Sequence, residues 1–163
     1  EIQIDLKISA YISNEYISNA AQKIEVYQDI ANIEREEQIS ELVDEMIDRF
    51  GELPKEMVNL LEIARIKCYA RALRITKIEQ KIDRILIHFN DAEFLTGDKV
   101  QFLIDEYRRQ IFFSSGDIPY ITLKLQSLKE SDIVKEVLKN IKNCKRIKDL
   151  KNSFCIINYA VFK

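Results

Sequence analysis

From residue 19 to residue 73 the apolar positions recur every three or four residues, and beyond Arg74 they alternate with polar ones. The first spacing is that of a helix with one buried face, the second that of a half-buried strand. Ahead of both, Ile2, Ile4 and Leu6 alternate with Gln3 and Asp5, which predicts a short extended lead-in. A first helix is predicted over 19–33. Asn19 with Gln22 resembles a capping box, and Ile24, Tyr27 and Ile30/Ala31 share a face. A second helix is predicted over 36–50, carrying Ile39, Leu42/Val43, Met46/Ile47 and Phe50. Gly51 suits a left-handed stop, and Pro54 suits the first turn of a third helix over 54–73. That helix has Met57/Val58, Leu60/Leu61, Ala64, Cys68 and Ala72, widened by Ile63, Ile66 and Ala70, so it should be buried against more than one neighbour.

In the second part Ile85, Ile87 and Phe89 alternate with Arg84, Leu86 and His88, and 75–79 is the expected hairpin partner. A helix over 100–107 would pack through Phe102, Leu103 and Tyr107. Strands are expected over 111–113 and 121–125, with Gly116 between them. Ser131 is placed to cap a last helix bearing Ile133/Val134, Val137/Leu138, Ile141 and Cys144, and the apolar tail 154–162 is expected to add a strand. The layout is α+β: an N-terminal three-helix portion, then a small, mainly antiparallel sheet with two packed helices. It reads as one domain over 1–163, with a helical half (1–74) and a sheet-plus-helix half (75–163).

The chain has 163 residues, 47% of them hydrophobic, enough for a core without staples. A start at Glu1 rather than Met suggests a piece of a longer protein. The net charge of −2 provides no general attraction to nucleic acid. Cys68, Cys144 and Cys155 are scattered, against both a disulfide framework and a zinc site and in favour of a reducing cytoplasm. Neither a retained signal peptide nor a membrane-spanning run is expected.

Chemistry-bearing motifs are missing. Gly51, Gly97 and Gly116 cannot make a phosphate-binding loop, a dinucleotide fingerprint or a nucleophile elbow. The expectation is therefore no catalytic residue, no cofactor, no metal and no small-molecule substrate. His88 reads as a strand residue on the more polar face, and Cys68 as an inert thiol on the apolar face of the third helix.

Charge is distributed unevenly. From Glu25 to Glu52 ten carboxylates (Glu25, Asp29, Glu34, Glu36, Glu37, Glu41, Asp44, Glu45, Asp48, Glu52) face two bases, Arg35 and Arg49. On the second helix Glu37, Glu41, Asp44, Glu45 and Asp48 form one stripe. Such like-charge spacing weakens a helix by ~0.2–0.5 kcal/mol per pair, which a basic partner would offset. From charge alone, a solvated face is the plainer reading. The last helix has the opposite bias: Lys135, Lys139, Lys142, Lys145, Arg146, Lys148 and Lys151 against Glu136 and Asp149. A solvated basic face is again plainer; the alternative is a nucleic-acid-binding accessory module.

Several stretches in order carry a resemblance. They are Glu1-Ile2-Gln3-Ile4-Asp5-Leu6, Ala10-Tyr11-Ile12, Tyr16-Ile17, Lys23-Ile24-Glu25-Val26-Tyr27, Asp48-Arg49-Phe50-Gly51-Glu52-Leu53-Pro54, and Leu60-Leu61-Glu62-Ile63-Ala64-Arg65-Ile66-Lys67 with Ala70 and Leu73. Together they resemble the C-terminal domain of the bacterial transcription-repair coupling factors (Mfd). The match runs as motifs to about Lys77 and as element order to about Leu150; the basic end of the last helix and the tail 153–163 depart from the pattern. The resemblance implies a cytoplasmic parent that is an ATP-driven DNA translocase acting in DNA repair on stalled RNA polymerase. It implies that this domain is non-catalytic and docks, within the same protein, on the UvrB-like N-terminal module, masking UvrA recruitment and restraining the motor. RNA polymerase, UvrA and DNA are then indirect partners, with no membrane. The docking site is expected on Glu41, Asp44, Glu45 and Asp48, with Arg49 beside them.

Overall fold

A computed structural model describes residues 1–93, 95–114 and 116–161, with side-chain environments to residue 146 apart from those two gaps. The elements run β1 (Gln3–Asp5), α1 (Ala20–Ala31), α2 (Glu36–Phe50), α3 (Lys55–Ala72), β2 (Ile75–Gln80), β3 (Arg84–Phe89), α4 (Gly97–Tyr107), a 3-10 turn (Arg108–Gln110), β4 (Ile111–Ser114), β5 (Tyr120–Lys124) and α5 (Glu130–Val161). Among the described residues the five strands form one sheet in the order β1-β2-β3-β5-β4. Neighbours are antiparallel except β1 and β2, which run parallel with Ile4 opposite Ile78. A parallel pair needs a long crossover, and α1 to α3 supply it. The fold is α+β with a mostly antiparallel sheet, as the periodicity predicts.

Two hydrophobic clusters result. One gathers Ile17, Val26, Ile30, Ile39, Leu42, Met46, Met57 and Leu61 from the lead-in and the first three helices. The other joins the inward residues of the sheet, such as Ile78, Ile85, Ile87 and Ile121, to Ile66 and Ala70 of α3, Leu103 of α4 and Val137 and Ile141 of α5. Helix α3 contributes to both, which explains the breadth of its apolar pattern. The lead-in is tied across the molecule: Asn59 Nδ2 donates to the Ser9 carbonyl at 2.9 Å, and Ser9 Oγ to Glu130 at 3.0 Å.

Local departures from the sequence expectations have physical causes. On α1 the buried residues are Val26 and Ile30, whereas Ile24 is 58% exposed. Tyr27 lies half out because its hydroxyl accepts from Ile12 N at 2.8 Å. Asn19 caps α1 by accepting from Gln22 N. Pro54 caps α3 from outside its first turn. Ser131 lies within α5, not at its cap; the approach is organised by Ser127, which accepts from Lys129 N and bonds Asp132 at 2.7 Å. The tail is not a strand. Helix α5 continues through it to Val161, with no glycine or proline after Glu130 to stop it, and Phe162 lies outside the described residues.

Candidate protein-docking site

Helix α2 spans the predicted 36–50. Ile39, Leu42 and Met46 are buried, with Val43 and Phe50 partly buried beside them. With the helix anchored on that side, Glu41, Asp44, Glu45, Asp48 and Arg49 all stand exposed, as does Glu37. Ile47, 38% exposed, adds an apolar side chain next to the acids.

The C-terminal end of α2 is held firmly. The Tyr16 hydroxyl donates toward the carbonyls of Gly51 (3.1 Å) and Met46 (3.3 Å), and its ring packs 5.9 Å from that of Phe50. Burial and the nearby Glu52 raise the Tyr16 pKa, so the hydroxyl keeps its proton. Gly51 has φ +84° and ψ −163°. Its φ is positive, as a left-handed stop requires, but ψ puts it in the extended mirror region that is almost exclusive to glycine.

The predicted residues divide by environment. Glu41 and Glu45 line a groove of about 320 Å³ with Asp29, Asn32 and Gln38, floored by Ile33 and Leu42. Arg49 pairs with Glu45, lies 3.9 Å from Glu25 of α1, and stacks 4.9 Å over the Phe50 ring. Glu41, Asp44 and Asp48 form no ion pair among the described residues. Glu25 and Asp29 therefore extend the acidic face from a second helix. Both belong to the acidic run visible in the sequence, but only the packing of α1 beside α2 reveals that they join it.

Other candidates are engaged internally. Lys139 lies 5.6 Å over the Tyr107 ring, and Lys142 and Lys145 lie 5.6 and 5.0 Å over Tyr69. The Tyr69 hydroxyl bonds Glu36, whose carboxyl also takes Arg65 Nη1 at 2.7 Å. That tyrosine bond leads the causes that lower the Glu36 pKa, and burial leads those that raise Tyr69's. His88 Nε2 lies 3.2 Å from Glu79, with its ring 5.3 Å from Tyr120. Cys144 is fully buried, and burial pushes its thiol up to about 12; Cys68 is half-buried, and burial raises its thiol too. Among the described residues no group of three or more His, Cys, Asp or Glu is placed to hold a metal ion. None of the described helices is long and apolar enough to cross a membrane.

Residues 6–100 match the model of the TRCF domain family. The chain belongs to that family. A transcription-repair-coupling factor of Bacillus subtilis (strain 168) is 34% identical over 151 residues, covering 91% of this chain. One from Staphylococcus aureus (strain USA300) is 41% identical over 90 residues, covering 55% of the chain. The chain spans 13% and 8% of the lengths of these two relatives. A crystal structure of the C-terminal domain of transcription-repair coupling factor superposes with a TM-score of 0.81 at 28% identity, covering 92% of this chain and 95% of that one. In fold and sequence this TRCF domain corresponds to the C-terminal domain of such a factor.

Proposed function

We propose that this domain is a non-catalytic, autoinhibitory module of a cytoplasmic transcription-repair coupling factor. It docks through the acidic face of α2 on the UvrB-like N-terminal module of the same protein, masks UvrA recruitment and restrains an ATP-driven DNA translocase. RNA polymerase and DNA are reached through the parent protein. The supporting observation is that Glu41, Asp44 and Asp48 stand exposed, with no ion pair among the described residues, on a helix whose opposite side is buried. A basic partner relieves their mutual repulsion as well as pairing with them. Docking within one protein gains from high effective concentration, so a modest interface keeps a two-state switch closed.

The test is Glu45→Ala with Asp48→Ala. The variant should melt as the parent does, yet bind the isolated N-terminal module about tenfold more weakly. In the full-length protein it should raise UvrA capture and ATPase activity. Unchanged docking by a well-folded variant removes the acidic face from the reading.

A further inference from the structure

A groove of about 500 Å³ opens where the two hydrophobic clusters meet. Its floor is apolar: Ile30 and Ile33 come from the helical cluster and Ile75 from the sheet cluster. Lys67, Arg71 and Arg74 bring three cations to its wall, and Glu1 is the acid at the rim. Lys67 and Arg71 are one turn apart on α3, both exposed, and neither forms an ion pair among the described residues. Cations near a helix C-terminus complement its dipole, which accounts for Arg71 but not for the apolar hollow beside it.

Arg74 joins this wall from an unfavourable backbone conformation. It follows the end of α3 with φ +58°, where an L side chain crowds its own backbone and glycine is favoured. The side chain retained there reaches Asp91 at 3.0 Å and Glu93 at 3.4 Å and lines the groove.

We propose that this groove docks an acidic peptide segment of a partner protein. Peptide carboxylates pair with Lys67 and Arg71, and one aliphatic side chain sits among Ile30, Ile33 and Ile75. Arg74 stays bonded to Asp91 and Glu93 and offsets those acids beside the groove. Charge complementarity selects an anion, and the apolar floor selects a peptide over free phosphate, which has nothing to bury. The groove is distinct from the acidic face of α2. Ile33 lines both hollows, but the charges around them are opposite in sign. The domain thus presents an acidic face and a basic groove to different partners.

The test is fluorescence anisotropy of this chain with a fluorescein-labelled Glu-Asp-Leu-Glu-Leu-Asp peptide and its analogue with Ser for Leu. The Leu peptide should bind saturably and more weakly as salt rises. Binding should fall about tenfold in Lys67→Glu/Arg71→Glu and severalfold in Arg74→Gly, whose melting temperature should hold or rise because the backbone is relieved. The Ser peptide should bind several times more weakly, and millimolar inorganic phosphate should not displace the Leu peptide. Glu45→Ala/Asp48→Ala should bind it as the parent does, separating this proposal from docking by α2. Should the charge-reversed variant melt early, Lys67→Gln/Arg71→Gln is read in its place. Equal binding by parent and groove variants, equal binding of the two peptides, displacement by phosphate, or loss in the α2 variant would each overturn the proposal.

Discussion

Helix α2 carries acids along one face, and helix α5 carries lysines along another. On α2, Glu41, Asp44 and Asp48 stand exposed without an ion pair among the described residues. On α5, Lys139 covers Tyr107, and Lys142 and Lys145 cover Tyr69 beside Glu36. Seven bases against four acids in the sequence of α5 thus overstate what a partner would meet. Among the described residues the charge excess of α2 is diminished by Arg49, which takes Glu45, and by Arg65, which takes Glu36 at the opposite end. What a charged helix offers outward depends on how many of its charges find partners at home.

The largest expected effect comes from inverting the α2 charges. Asp44→Lys with Asp48→Lys should weaken docking to the N-terminal module on the order of 100-fold, since like charges then meet. A titration beside a melt checks it; unchanged affinity would put α2 and α5 on an equal footing.

Next is the boundary of α2. Gly51→Ala should destabilise the domain by about 2 kcal/mol from backbone strain, since a Cβ there meets nothing within 4 Å. Gly51→Asn should not recover the loss, because Asn tolerates the left-handed helical region but not this extended one. Denaturant unfolding measures both, and full recovery by Asn would mean that ψ is helical.

Removing the lysines over Tyr69 should cost less. Lys142→Ala with Lys145→Ala should lower stability by about 0.5–1 kcal/mol, the range of exposed cation–π contacts, and leave docking unchanged. A docking loss as large as that of the α2 variants would break the comparison.

The last expected effect appears only as pH changes and concerns Glu79, an engaged carboxylate to set beside the free ones of α2. Its bonds to Lys81, then Lys77, hold its pKa near about 2, against 4.5 ordinarily. A folded-state pKa below the unfolded one stabilises above pH 4.5, and that contribution is lost as pH falls toward 2. Glu79→Gln should therefore flatten the acid limb of a pH–stability curve across that window and leave the two proteins alike near pH 2. Parallel curves would show that the lysines do not stabilise the folded state through Glu79.

Helix α2 was legible to the residue because apolar spacing, a dense acidic stripe and Gly51 agree on its bounds. The face of α1 was not. Ile24 and Val26 are equally plausible core residues by periodicity, and the choice depends on where α3 and the lead-in press. Glu25 and Asp29 were visible as acids, but their place beside Arg49 and Glu41 needed α1 packed against α2. The reach of α5 through the tail was obscured because an apolar run such as Phe154 to Ile157 suits a strand or a helix equally, and periodicity alone cannot arbitrate.

Element order as far as α5, the α+β class, the bounds of α2 and its outward acids followed from the sequence itself, because each rests on residues within a turn or two of one another. The parallel pairing of β1 with β2 was decided only by the tertiary structure. So were the engagement of the α5 lysines by tyrosines and the meeting of Ile30, Ile33 and Ile75 under Lys67 and Arg71. These contacts join residues from separate elements, and local spacing does not encode which surfaces will pack. That choice is made when several faces must bury their apolar area together.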